Sequence, residues 1–267
     1  MKYVILTVIA ILICVASGWL ITQLISSKSK RKIKHKIMMS AAISFGLIIA
    51  VGIVYFSIYY HPDNSAKDYL RSSGSVEVKQ NDEGYCFDGP GNENAIAFFP
   101  GAKVDEKAYA PLMFKLAEAG VDCYLIAPPL NMAMADGNAP DKLMSEHDYD
   151  HWYIMGHSLG GAVAANYCSE KPDNADGVIL LAAYPTEKIP DRVRLLSIYG
   201  TKDNCLEIDV YKESKVNWPK DSVEVVIEGG NHSGFGNYGA QRGDGEADIT
   251  ADEQQTKTVN EIIKFLS

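Results

Sequence analysis

Residues 156 to 160 read Gly-His-Ser-Leu-Gly, a serine with a glycine two positions to either side. A serine hydroxyl attacks a carbonyl carbon only when a base takes its proton and fixed N–H donors receive the developing oxyanion. The spacing has a mechanical reason if Ser158 occupies a sharp strand-to-helix turn. Backbones approach closely there, a Cβ at either glycine would clash, and the serine is pushed out at the carboxyl end of the strand. The flanks agree: "HWYIMG" is apolar and strand-like, while "LGGAVAANYCSEKP" reads as a helix whose N-terminus favours negative charge. An ordinary glycine-rich helix start has the same residue types, and Gly161 suits close helix packing in either case.

The elements that must position this serine alternate in type. "SVEVKQ" and "GYCFD" read as a hairpin turning at "NDEG", and "NAIAFFPG" as a strand buried on both faces. "DEKAYAPLMFKLAEAG" has helical periodicity, with Gly120 placed to end it. Strands follow at "VDCYLIAP", "HWYIMG", "ADGVILLAAYP", "RVRLLSIYG" and "SVEVVIEGG". Between and after them lie helices at "MADGNAPDKLMSEH", "LGGAVAANYCSEKP", "IDVYKESKVN" and "TADEQQTKTVNEIIKFLS". Thr250 and Glu253 form a capping-box pattern at the start of the last helix. Such alternation implies right-handed βαβ crossovers and an α/β fold with a mostly parallel sheet.

The GxSxG serine in its strand–turn–helix setting resembles the nucleophile turn of the α/β-hydrolase family, and the resemblance covers roughly residues 75–267. It implies the α/β-hydrolase fold, chemistry through an acyl-enzyme without metal or organic cofactor, and a triad in the chain order serine, acid, histidine. Of the six histidines only His232 follows Ser158, in "EGGNHSGFGNYG" just past the last strand; a plain loop histidine bonded to backbone is the other reading. Asp203, ending "LLSIYGTKD", matches the family's acid position, with Glu207 and Asp209 as close competitors. The oxyanion donors implied are the amides of Leu159 and of Ala102 in "FFPGAKVD", where Gly101 or Lys103 can take the second place. Pro100-Gly101 stands where many members have His-Gly. Lys103 suits either an anionic substrate or plain solvent.

The segment "PTEKIPD" leaves no room for a cap between two strands, so the site is expected to be open and to take a small ester-like acyl substrate. "PPLNMAMADGNAP" is the loop expected to face it, unless Met132 and Met134 are packed. Carboxylesterase chemistry is the reading of choice. A peptidase or acyltransferase would use the same triad, and a silent membrane-anchored binding domain would keep the same fold.

Residues 1–60 hold no acidic residue and seven of the 25 Lys and Arg, leaving residues 61–267 with a formal charge of −16. That balance repels phosphate backbones and argues against nucleic acid as a partner. Two apolar runs, 3–25 and 37–60, each meet the length of about 20 residues needed to cross a bilayer. The first is too long for a signal-peptide core and lacks a small-residue cleavage site. The linker 26–36 carries six Lys and Arg, so it should be cytoplasmic, with the large domain on the extracytoplasmic side. The expected organisation is a transmembrane hairpin at 1–60, a membrane-proximal linker at 61–74 that can also hold a first short helix, and a hydrolase domain at 75–267. Cys14 is expected to face lipid, and the other four cysteines to be mostly buried thiols with room for one disulfide. "SEHDYDH" brings His147 and His151 close in sequence but lacks a third-ligand motif, so no metal site is expected there.

Overall fold

The computed structural model describes residues 2–26 and 32–267, the side chains of 2–7 excepted. Residues 27–31, within the basic linker, lie outside the described residues. The chain divides into two compact units, 1–58 and 59–267.

The first unit pairs α1 (Lys2–Ser26) with α2 (Ile33–Ser57), and both are long and apolar enough to cross a membrane. Cys14, Gly18, Thr22 and Ser26 recur every fourth residue of α1 as a buried stripe of small side chains. A Cβ at Gly18 would lie 2.1 Å from Ser44 Oγ, so the two helices touch backbone to side chain there. Cys14 therefore faces the neighbouring helix rather than lipid; it sits on the small-residue stripe.

The second unit is an eight-stranded sheet in the order β1-β2-β4-β3-β5-β6-β7-β8. A hairpin of β1 (Glu77–Asn81) and β2 (Gly84–Asp88) forms one edge, and β2 runs antiparallel to β4 (Asp122–Ile126). From there β3 (Asn94–Phe99), β5 (His151–His157), β6 (Gly177–Leu181), β7 (Arg194–Gly200) and β8 (Ser222–Ile227) continue in parallel. This is the mostly parallel α/β sheet that the alternation implied.

Period-two alternation on buried strands builds a core on each face. Ile96 and Phe98 of β3 pack with α4 (Ala110–Glu118) and α8 (Ala251–Leu266), whereas Ala95, Ala97 and Phe99 pack with α5 (Ala139–Glu146) and α6 (Leu159–Glu170). The chain leaves β3 for β4 on one side and returns for β5 on the other. The carboxyl ends of β3 and β5 therefore flank the switch point where such sheets open a crevice.

Residues 61–74, expected as a linker or a first short helix, form a short helix and pack into this unit. Asp63 caps α3 (Asn64–Asp68), Ala66 is fully buried, and Tyr60, Tyr69 and Leu70 lie against the core. Their apolar side chains find a surface beside α4 that a solvated linker would leave uncovered. All five cysteines are free thiols, so the disulfide allowed by their number does not form.

Candidate active site

Ser158 sits between β5 and α6 with φ 53° and ψ −121°. That conformation costs an L-residue on the order of 1–3 kcal/mol and persists only where surrounding structure over-determines it. Here it is held by its own amide, which donates to Leu181 O at 2.9 Å, and by glycines that permit the approach. A Cβ at Gly156 would lie 2.3 Å from Gly160 C, and one at Gly160 would lie 2.2 Å from Phe99 O. The flanking glycines are thus steric requirements of the turn, and the ordinary helix start is the weaker reading.

His232 follows β8 and is 2% exposed. Its Nδ1 lies 2.9 Å from Asp203 Oδ2, and the Asp203 side chain is 1% exposed. The other carboxylate oxygen accepts the amides of Cys205 and Leu206, each at 2.8 Å. An acceptor-only carboxylate on Nδ1 fixes the tautomer with Nδ1–H donating and Nε2 free to take a proton. Nε2 is buried and has no hydrogen-bond partner among the described residues. Ser158 and His232 are accordingly not hydrogen-bonded, but the His232 ring stands 4.6 Å from that of His157, the residue preceding Ser158. Glu207 is exposed and Asp209 is 93% exposed beside Lys212, so Asp203 is the acid that meets the histidine.

His157 is fully buried, and Tyr109 Oη lies 2.8 Å from its Nδ1 while accepting the Gly101 amide at 3.1 Å. The tyrosine hydroxyl thus bridges the Gly101 amide and His157 Nδ1. Burial, and then the neighbouring His232, hold the His157 pKa well below the usual histidine value, so the ring is neutral.

The same bonds sort the oxyanion candidates. The Gly101 amide is engaged by Tyr109, and the Lys103 amide donates to Asn131 O at 2.8 Å. Ala102 N–H has no partner among the described residues. The Leu159 amide opens α6, where the first N–H groups lack helical acceptors. The close approach of Gly160 to Phe99 O brings these two segments side by side.

Three residues that support the histidine loop escaped the sequence reading. Asp244 accepts the His232 amide at 3.2 Å, the Ser233 amide at 2.8 Å and the Gly245 amide at 2.8 Å. Gln254 of α8 accepts the Asn231 amide at 3.0 Å and donates to Asn231 O at 2.8 Å. Tyr109 is the third. Gln254 had a legible signal, a polar residue on the apolar stripe of an amphipathic helix; Asp244 and Tyr109 had none.

Asp203, Cys205 and Asp244 are close enough to share an ion. Their carboxylate oxygens are already engaged with N–H donors, and burial followed by the two aspartates pushes the Cys205 thiol up to about 11. In "SEHDYDH", His147 stacks on Tyr124 and His151 pairs with Asp176, so the two do not converge. On the "PPLNMAMADGNAP" loop Leu130 and Met134 are exposed while Ala133 is buried.

Residues 95–256 match the family model described as alpha/beta hydrolase family. The chain belongs to the alpha/beta hydrolase family. Among solved structures, this hydrolase is similar to a CIB-like hydrolase from Thermoplasma acidophilum, at 19% identity and TM-score 0.52 over 70% of this chain and 96% of that one. It is also similar to naproxen esterase (carboxylesterase NP) from Bacillus subtilis, at 11% identity and TM-score 0.52 over 76% and 95%. A laboratory-evolved variant of potato epoxide hydrolase matches at 12% identity and TM-score 0.54 over 72% and 99%. At these identities the likeness is one of fold. No curated protein matches the hydrolase by sequence.

Proposed function

We propose that this protein is a membrane-tethered serine hydrolase that cleaves a small ester-like substrate through an acyl-enzyme. Ser158 Oγ attacks the carbonyl carbon as its proton passes to His232 Nε2, and Asp203 stabilises the imidazolium so formed. The oxyanion is received by the amides of Leu159 and Ala102. Collapse expels the alkoxide, which takes the proton from His232 and leaves the acyl group on Ser158. Water then repeats the sequence: His232 takes its proton, the hydroxyl adds to the acyl carbon, and Ser158 departs reprotonated with release of the acid.

The observation that carries this reading is the buried Asp203–His232 pair, with Nε2 unsatisfied, beside a serine on a strained turn. A buried nitrogen without a partner costs stability, and its retention on a ring held by a buried carboxylate fits a role in proton transfer. The 182–193 connection between β6 and β7 holds no helix or strand that caps the site, which favours accessible esters. The tether is α1 and α2, and the basic residues of 26–36 favour the domain on the extracytoplasmic side.

Labelling the full chain with a fluorophosphonate tests the chemistry. Wild type should label and Ser158→Ala should not; a folded wild type that fails to label refutes it. Protease added to intact cells should degrade the domain, and protection would reverse the orientation.

A further inference from the structure

The segment that leaves the second apolar helix does more than connect. Two residues after the first unit ends, Tyr60 forms a parallel bridge to Val104. Its amide donates to Lys103 O at 2.7 Å, and its carbonyl accepts the Asp105 amide at 2.9 Å. The same residue reaches the loop that follows His232. Its Oη accepts the Arg242 amide at 3.0 Å, and its ring lies 5.5 Å from that of Tyr238. Three residues on, the Asp63 amide donates to Asn237 O at 2.8 Å.

Both loops need holding. Val104 N donates to Gly101 O at 3.3 Å, closing a turn with Ala102 and Lys103 at its centre, and Lys103 has φ 57°. A left-handed lysine is disfavoured by an amount comparable to the net value of one backbone hydrogen bond. The turn keeps that shape because the Lys103 amide is tied to Asn131 on one side and its carbonyl to Tyr60 on the other. The direction of the Ala102 amide is fixed by the same peptide geometry. On the far side Tyr238 stands 6.2 Å from Tyr109, whose hydroxyl joins Gly101 to His157.

We infer that Tyr60 is a positioning residue for the active site: the segment 59–63, which opens the second unit, straps the oxyanion turn and the histidine loop together. The inference rests on the assignment of Ser158, His232 and Asp203 made above. A strap of this kind acts on turnover more than on substrate binding, because it sets the donor and base positions that matter in the transition state.

The test uses the full chain in lipid nanodiscs with a chromogenic ester, fluorophosphonate labelling and amide hydrogen exchange. Tyr60→Pro removes the N–H that holds Lys103; it should lower kcat about 10- to 100-fold, with KM within about threefold of wild type. Exchange should rise at 101–105 and 236–242. Tyr60→Phe keeps the bridge and the ring and should restore most of the lost turnover. A folded Tyr60→Pro chain with wild-type kcat and unchanged exchange overturns the inference, as does a loss that lies in KM alone or is not restored by phenylalanine.

Should Tyr60→Pro not fold, protease sites cut after folding decide the matter. Cleavage at a site inserted between Ile58 and Tyr59 should leave turnover intact, whereas cleavage between Pro62 and Asp63 should abolish most of it and deprotect 101–105. Equal effects of the two cuts overturn the strap. A wild type that neither turns over nor labels refutes the triad instead, and the exchange comparison still decides whether the strap holds the loops.

Discussion

Replacing Gly160 by alanine tests whether the turn at Ser158 and the loop after β3 form one rigid frame. The added Cβ would lie 2.2 Å from Phe99 O and 2.4 Å from Pro100 O, both backbone atoms that cannot swing aside. An ordinary contact of this type is about 3.2–3.5 Å, so α6 and the loop must separate by roughly 1 Å. That displacement falls between the Leu159 and Ala102 amides, and misplacement of this size costs about 10²-fold in rate. Overpacking also costs about 1–3 kcal/mol of stability, and each kcal/mol lowers Tm by about 2–4 °C in a domain of this size. Steady-state kinetics on an ester together with thermal unfolding read both effects. Gly137→Ala is the control, because its Cβ would meet only Val163 Cγ1 at an ordinary 3.6 Å. Wild-type kcat and Tm in Gly160→Ala would refute the close-approach argument.

Asp203→Asn should keep the fold and lower kcat by roughly 10⁴-fold, since an amide no longer dictates the His232 tautomer; a loss below about tenfold would remove Asp203 from the triad. His157 gives a pH signature of stability. The native ring resists the proton that the unfolded chain accepts below about pH 6.5, so the unfolded state gains protons as pH falls. Stability should drop by up to about 1.4 kcal/mol per pH unit below that point, and His157→Gln should flatten the slope seen in Tm against pH. Asp244→Ala leaves the His232 and Ser233 amides without their acceptor and should lower Tm by several degrees, with raised hydrogen exchange confined to the histidine loop. Thr250→Ala breaks the capping box of α8 and should cost about 1 kcal/mol while kcat stays within about twofold of wild type, read by unfolding and turnover on one preparation.

The strand–helix alternation was legible because each buried strand and amphipathic helix carries its own period. The capping box at Thr250 and the terminating Gly120 formed where their residue types required, both being local backbone chemistry. The limits of locality show elsewhere. Residues 61–74 look polar enough to be solvated, yet Ala66, Tyr69 and Leu70 found cover on elements far along the chain. Cys14 lies in an apolar run with no local sign of which face meets α2, and the spacing of small residues became meaningful only once the helices were paired.

By itself the sequence determined the turn at Ser158, because Gly156 answers a clash with the backbone of Gly160 four residues on, whereas Gly160 answers the distant backbone of Phe99 and Pro100. It also determined the α/β class and the two apolar helices, which follow from the periods and lengths of contiguous runs. Only the tertiary structure shows that Asp203, rather than Glu207 or Asp209, meets His232, and that the amides of Gly101 and Lys103 are engaged elsewhere. These choices depend on which groups the sheet order brings within hydrogen-bonding distance. Asp244, Gln254, Tyr109 and Tyr60 belong with them: each acts across a long sequence separation, through single hydrogen bonds and ring contacts that carry no pattern along the chain.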